Sequence, residues 1–260
     1  MYNHIFTFFK KYRFVGLILL LLLLTGCQLN SPIDANSTGF FNHYFIYPFS
    51  LLIKFFASML GENYGWSIVL ITLLIRLILM PFSLKQVKSS MKMKEKMNVM
   101  KPEMDAITEK YKDKRDANAQ MEKQQEMTKL YQKHDMNPLT SFGCLPMVIQ
   151  FPIIIAFYYS IRRTPEIAAH SFLWFNLGQV DFIIPFVAAA IYFLQSRVSL
   201  IGMEPKQRKQ MAIMGLISPV MIGFISFTTP AALPLYWTVS GLFLVFQTLI
   251  SKKLYQPNKQ

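Results

Sequence analysis

The chain has 260 residues, 53% of them hydrophobic and 16% charged, with a mean hydropathy of +0.30. Soluble domains carry about 25% charged residues, so this composition excludes an ordinary soluble globule. The formal net charge is +13, from 27 Lys and Arg against 14 Asp and Glu. Where those charges lie has to separate a membrane protein from a nucleic-acid binder. Two cysteines are too few for a disulfide scaffold, no Cys/His spacing suits zinc, and His4, His43, His134 and His170 are scattered.

At the N-terminus Lys10, Lys11 and Arg13 precede an unbroken apolar run over 15–24, followed by Thr25-Gly26-Cys27. A basic flank, a short apolar core and small residues before a cut predict a secretory signal over 1–26. The run is too short to cross a bilayer about 30 Å thick. A cysteine directly after Thr-Gly resembles the lipobox of bacterial lipoproteins, in which the thiol takes a diacylglycerol and the new amino terminus a further acyl chain. The alternative is an uncleaved anchor helix with a buried Cys27. On the lipoprotein reading, 27–60 lies outside the cytoplasm. Within it, 40–60 is aromatic-rich but carries Asn42, His43, Pro48 and Lys54, which suits an amphipathic helix in the outer interface better than a span.

Five later segments are long and apolar enough to cross, roughly 64–82, 139–161, 182–200, 211–228 and 233–250. Residues 85–138 hold 13 Lys/Arg and 9 Asp/Glu. Arg197, Lys206, Arg208 and Lys209 follow near the next intervening loop, and Lys252, Lys253 and Lys259 lie in the tail. The alternate loops hold only Lys54, Arg162 and Arg163, so 20 basic residues face three. The positive-inside rule then predicts a multi-pass protein of the bacterial cell membrane, mature N-terminus outside and C-terminus in the cytoplasm. The membrane core is expected over 61–254, with 255–260 as a short tail.

Between the first two spans, Met97, Met100, Met104, Ile107 and Tyr111 recur at helical spacing. Pro102 suits a first helical turn and is expected to separate this helix from the preceding span. A polar turn over 112–118 leads to a second amphipathic helix with Met121, Met127, Leu130 and Tyr131, closed by Asn137-Pro138. The pattern predicts a cytoplasmic helical hairpin over 85–137. Its methionines either form its own core or make a pliable surface for varied apolar partners.

Arg76 does not belong in hydrocarbon. It sits mid-span, nine residues before Lys85 and so about 13 Å away along a helix. Snorkelling would be incomplete, and burial in lipid costs roughly 2.5–3.5 kcal/mol. No Asp or Glu falls inside any of the five spans, and Asp181 only borders the third. The economical resolution is a hydrated cavity within the bundle. Thr72 lies one turn earlier on the same face. Gln150, Gln195, Ser218, Ser226, Tyr236, Trp237 and Ser240 are further polar groups within spans. Buried Gln and Ser often only bond a neighbouring helix, and Tyr236 and Trp237 can equally be interface-belt aromatics. No phosphate-binding glycine motif and no nucleophile–base pair stand out, so no enzyme chemistry, metal or diffusible cofactor is expected; the covalent lipid on Cys27 is the exception.

These residues form a recognisable series. In order they are Asn63-Tyr64-Gly65-Trp66-Ser67-Ile68, Leu74-Ile75-Arg76-Leu77 with Pro81, Asn137-Pro138-Leu139 with Gly143-Cys144-Leu145-Pro146, and Gln150-Phe151-Pro152-Ile153. Phe172-Leu173-Trp174-Phe175-Asn176-Leu177, Pro185, Phe193-Leu194-Gln195 and Pro230-Ala231-Ala232-Leu233-Pro234-Leu235-Tyr236-Trp237 complete it. The chain from about Phe41 to Leu254 resembles the YidC-type membrane protein insertases of the YidC/Oxa/Alb superfamily, in their Gram-positive lipoprotein form. The resemblance implies an all-α membrane protein with five transmembrane helices around a hydrophilic groove, open to cytoplasm and lipid and closed outside. It places the groove arginine on Arg76, its polar companion on Thr72, the glutamine on Gln150 and the paired aromatics on Tyr236 and Trp237. Gln195 is the remaining groove candidate. Substrate helices are expected along the second and fourth spans.

The implied function is insertion, folding or assembly of integral membrane proteins, alone or with the Sec translocon. The resemblance implies nascent membrane proteins as partners and allows the signal recognition particle pathway and the ribosome, with no direct nucleic-acid contact and a monomer sufficing. Relatives with long basic tails use them on ribosomes, and the chain ends eight residues after Lys252, so tail-mediated ribosome binding is not expected. The competing reading is a small-anion transporter or channel that uses Arg76, but no inverted repeat is visible.

Overall fold

The computed structural model describes residues 31–112, 116–134, 145–203 and 205–255. The expected signal over 1–26, Cys27, Asn137-Pro138 and the start of the expected second span lie outside the described residues. What is described is almost wholly helical, with one antiparallel pair of two-residue strands.

The stretch read as an interfacial helix, 40–60, is helical over most of its length, and Pro48 does not break it. A π-helical turn, Asn42–Ile46, runs directly into α1, Tyr47–Met59, with Pro48 in its first turn. The wider π-helical turn lies just ahead of Pro48, whose missing N–H leaves one carbonyl of that turn without a helical donor. Ser50, Ile53 and Ala57 are buried while Leu51, Leu52, Phe55 and Met59 are exposed, a two-faced helix.

Helix α2, Tyr64–Lys110, is 47 residues long and contains both Pro81 and Pro102. The sequence led us to expect Pro102 to open a separate helix; it does not. A proline inside a helix costs one backbone bond and crowds the carbonyl four residues earlier. Here one apolar stripe, Met93, Met100, Met104 and Ile107, packs on both sides of Pro102 against Leu130 and Tyr131. That shared packing holds the helix in register through the proline.

The remaining helices are α3, Ala117–Lys133; α4, Leu145–Arg162; α5, Pro165–Ala169; α6, Ile184–Ser199; α7, Pro205–Gly215; α8, Ile217–Ser226; and α9, Ala232–Tyr255. Strands β1, Ser171–Phe172, and β2, Phe175–Asn176, pair in the register Phe172↔Phe175. The expected fourth span over 211–228 is thus two helices, broken at Leu216. Pro219 has no N–H for the carbonyl of Gly215 four residues back, and glycine adds its own poor helix propensity at that point. By length and composition, α2 and α9 could each cross a bilayer, and Ile184–Ser199 and Met211–Ser226 are shorter apolar stretches.

The chain divides into two compact units. The first comprises Met1–Arg76 and Gln150–Phe246. Its core gathers the end of α1, the start of α2, the end of α4, α5, the strand pair and the starts of α6 and α9, around Ile53, Ile68, Phe157, Ile167, Leu177 and Leu233. Buried hydroxyls tie these elements together: Ser50 to Thr164 at 2.8 Å, Ser67 to the Ile53 carbonyl at 2.7 Å and Ser160 to the Ile46 carbonyl at 2.9 Å. The carbonyls of Gln179 and Leu177 accept from the amides of Ala231 and Ala232, occupying donors where α9 begins. Helix α6 is a hub whose partners approach through small residues: Gly215 of α7 on Ser196, Gly223 of α8 on Ala189 and Gly241 of α9 on Ile191. Membrane helices pack in this way, because lipid gives them no hydrophobic reason to associate.

The second unit comprises Leu77–Ile149 and Gln247–Gln260. The expected helical hairpin is there. Met100 and Leu130 are buried at its centre, while Lys110–Glu126 and Lys133–Glu103 pairs cross from α2 to α3. Asp116 caps α3 by accepting from the Ala119 amide. Of the methionines, Met100 is core, whereas Met97 and Met121 are exposed.

Candidate functional site

The packed core of the first unit ends along α2 at Ile71 and Thr72, both fully buried. One turn further on is Arg76, half-buried and with no ion-pair partner among the described residues. Its charge acts on the phenol of Tyr192, in α6, and Tyr236 of α9 acts on the same phenol. Tyr236 in turn accepts a 2.6 Å hydrogen bond from Gln150 Nε2 of α4. Gln150 and Tyr236 are thus joined directly, and the Arg76 charge is felt at the Tyr192 phenol; the four residues come from four helices of the first unit, with one positive charge and no carboxylate among them.

Each member is held by its own helix packing. Tyr236 is only 2% exposed and stacks on Phe157, ring centres 4.7 Å apart. Tyr192 lies against α9 where Gly241 leaves room for its ring. The aromatic surroundings lower the effective dielectric, so a fixed guanidinium reaches further than it would in water.

The other candidates are placed differently. Thr72 gives its hydroxyl to the Ile68 carbonyl of its own helix at 2.7 Å, and no hydrogen bond joins it to Arg76 among the described residues. Trp237 is buried in the core; neither it nor Tyr236 is exposed as a belt aromatic would be. Gln195 is half-buried, nearly one turn beyond Tyr192. Ser226 bonds its own helix, Ser218 is exposed, and Ser240 carries a buried hydroxyl with no hydrogen-bond partner among the described residues.

Two participants escaped the sequence reading. Tyr192 was hidden as one aromatic among many; its signal was a hydroxyl three residues before Gln195 in an otherwise apolar span. Arg163 counted only as an outer-loop charge. It is 4% exposed, and its guanidinium donates to the Ser31 carbonyl at 2.7 Å and to Asn42 Oδ1 at 2.8 Å. Its own carbonyl accepts from the Ile33 amide. Burial lowers its pKa from the ordinary value, yet an arginine stays charged. It fastens 31–42 to the end of α4.

An apolar groove of about 510 Å³ opens between α6 and α8, lined by Pro185, Phe186, Ala189, Pro219, Gly223 and Phe224 among others. It contains none of the six groove candidates. No cluster of His, Cys, Asp or Glu able to hold a metal occurs among the described residues. A lone cation beside neutral hydrogen-bonding groups can attract an anionic or strongly polar segment and release it again.

A family model described as 60Kd inner membrane protein matches residues 55–259. Over 235 residues the chain is 50% identical to a protein of Listeria monocytogenes serotype 4b (strain F2365) named membrane protein insertase YidC 2, covering 90% of this chain and 84% of that one. It is 45% identical over 245 residues to membrane protein insertase YidC of Oceanobacillus iheyensis, covering 92% and 94%. With membrane protein insertase MisCB of Bacillus subtilis (strain 168) it shares 40% identity over 267 residues, covering 97% and 95%.

Proposed function

The chain belongs to the 60Kd inner membrane protein family, and from that premise we propose that it is a membrane protein insertase. It inserts nascent membrane proteins into the bacterial cell membrane and helps them fold or assemble. The observation that carries the reading is Arg76: a half-buried cation with no carboxylate partner among the described residues, in the same packed unit as the neutral polar groups Tyr192, Tyr236 and Gln150 of three other helices. The anion-transporter alternative finds no support among relatives that are named insertases.

Burial of a substrate's apolar segment in lipid drives insertion, and the obstacle is the polar flank that has to cross. A hydrated groove around Arg76 holds that flank part-way while the apolar segment partitions. At roughly 4–6 Å and an effective dielectric of about 20, the attraction to a carboxylate is about 3–4 kcal/mol. The exposed apolar side chains of α8, Ile217, Val220, Met221 and Phe224, offer the departing segment a lipid-like surface. No covalent step is involved.

The proposed topology has five crossings: the first stretch of α2, α4, α6, α7 with α8, and α9. The core of the first unit supports it, because it gathers the starts of α2, α6 and α9 with the end of α4, as alternating passes require. Charge placement puts that end outside, which accounts for a groove closed there and open to the cytoplasm. The mature N-terminus is then outside, Cys27 bears the lipid, and the Sec translocon, signal recognition particle and ribosome are candidate partners. Cys27→Ala should abolish fatty-acid labelling; unchanged labelling would refute the lipid.

The test of the function is depletion with rescue. Cells depleted of their own insertase should regain insertion of a short-tailed, two-span membrane protein when this chain is supplied. Failure to restore it, with the chain present in the membrane, would overturn the proposal.

A further inference from the structure

The strand pair β1–β2 ends in a two-residue loop, Leu173-Trp174. Leu173 has φ +55°, a left-handed conformation that such a loop ordinarily gives to glycine. A leucine there carries backbone strain. Its side chain offsets none of it by packing within the molecule, being 70% exposed, and Trp174 beside it is 53% exposed. An apolar pair held at a strained tip needs something outside the molecule to cover it.

The hydrogen bonds fix where the tip lies. Asp181 Oδ1 accepts from the amides of Ile183 and Ile184, each at 2.8 Å, where α6 begins. The same oxygen accepts from the Trp174 indole N–H at 3.4 Å. Partial burial opposes ionisation of Asp181, but the Ile184 and Ile183 amides and the indole outweigh it and hold the carboxyl below its ordinary value. An ionised group at the mouth of a membrane helix marks the headgroup level, so the indole bonded to it stands at that level too. Around it the exposed apolar surface is continuous. Trp66, near the start of α2, meets Phe172 edge-on at 5.5 Å, and Phe182 and Phe186 extend the surface onto α6. Amphipathic rings with one bonded N–H favour the boundary between headgroups and acyl chains.

We infer that the Leu173-Trp174 tip inserts into the headgroup–acyl boundary of the outer leaflet and sets the depth at which the outer end of the first unit rides. The inference rests on the membrane setting and orientation proposed above. Since Arg76 lies nearly three turns along α2 from Trp66, a fixed tip depth also fixes how deep the guanidinium stands.

The test uses the full chain in phosphatidylcholine–phosphatidylglycerol vesicles containing lipids brominated either near the glycerol end or near the chain ends. The emission lost in Trp174→Phe isolates Trp174 without altering the other two tryptophans. That emission should be quenched more by shallow than by deep bromines and little by aqueous acrylamide. Leu173→Gly relieves the backbone, so melting temperature in detergent should hold or rise, while shallow quenching falls by at least roughly twofold. Quenching by acrylamide alone would put the tip in water and overturn the inference. Protection from acrylamide and bromines alike would mean a protein covers it, which also overturns it. Phe193→Trp, within α6, serves as the control: deep quenching there with none at Trp174 sinks this inference alone, and no lipid quenching at either sinks the membrane reading itself.

Discussion

Gln150 Nε2 donates a 2.6 Å hydrogen bond to the hydroxyl of Tyr236, joining α4 to α9 across 86 positions of sequence. The acceptor ring is buried and stacked on Phe157, so the bond has one geometry. Tyr236→Phe removes the acceptor of the Gln150 amide, and Gln150→Leu removes the donor to the phenol. Interhelical bonds in membranes contribute about 0.6 kcal/mol on average and up to about 1.7. A double-mutant cycle on unfolding in detergent should therefore return a coupling of about 0.5–1.5 kcal/mol. Strict additivity would show that the bond contributes nothing.

The charge of Arg76 should matter more than its fork. It makes no bidentate pair among the described residues, and its neighbours Tyr192, Tyr236 and Gln150 are neutral. Arg76→Lys should retain much of the insertion activity, whereas Arg76→Ala should lose it for substrates with acidic flanks, by about a hundredfold or more in rate. Matched substrates with Asp or Asn flanks, assayed in the three backgrounds, separate field from structure. Equal loss for both flanks in the Ala background would leave Arg76 a structural role only.

Gly65 is where Phe172 lies directly on the backbone of α2, and a Cβ there would collide with the Cβ, Cγ and Cδ2 of that ring. Gly65→Ala should destabilise the outer core by about 1–3 kcal/mol, the usual cost of overpacking. Phe172→Ala removes the colliding Cγ and Cδ2; it is costly by itself in this buried core, but the double variant should lose less than the sum of the two single losses. Thermal unfolding in detergent reads both. An unchanged melting temperature in Gly65→Ala would mean that the ring moves aside freely.

The helical hairpin should loosen in acid. Hydrogen bonds from Lys133 and His134 hold the Glu103 carboxyl below its ordinary pKa, and one from Lys110 does the same for Glu126. A carboxyl with a depressed folded value lends stability that is complete above its unfolded value, about 4.3. That stability is lost as pH falls through the folded value. Amide protection factors in α3 should therefore be flat down to about pH 5 and decline below about pH 4. Protection in α9 should not follow, and a decline that begins near neutrality would contradict the assignment.

Much of the fold could be read from the sequence because membrane solvation imposes long apolar runs and sorts basic residues to one side. The interfacial helix, the hairpin stripe and the apolar stretches that became α2, α6 and α9 all came from such patterns. The break at Leu216 was equally available in principle, since Pro219 denies the Gly215 carbonyl its donor. Composition alone hid it, because the whole of 211–228 is apolar. Pro102 misled in the opposite direction: local propensity argued for a stop, and tertiary packing of Met100 on Leu130 overrode it. In the site, Arg76 was legible because charge in hydrocarbon is costly. The Gln150–Tyr236 bond was not, since nothing in a sequence pairs two residues on helices so far apart. Thr72 shows the limit of periodicity, which gave it the face of Arg76 but could not say that its hydroxyl would turn back to Ile68.

The outer end of the first unit is joined by hydroxyls as much as by apolar contact, through Ser50 with Thr164, Ser67 with Ile53 and Ser160 with Ile46. Apolar burial draws its strength from water and fades on cooling, leaving its mark as a large heat capacity of unfolding. Hydrogen bonds between buried groups carry no such heat-capacity signature. The outer end should accordingly unfold with a small heat-capacity change per residue in calorimetry and keep its joints in the cold. These joints should then hold at low temperature, under conditions where a soluble domain of equal stability begins to soften.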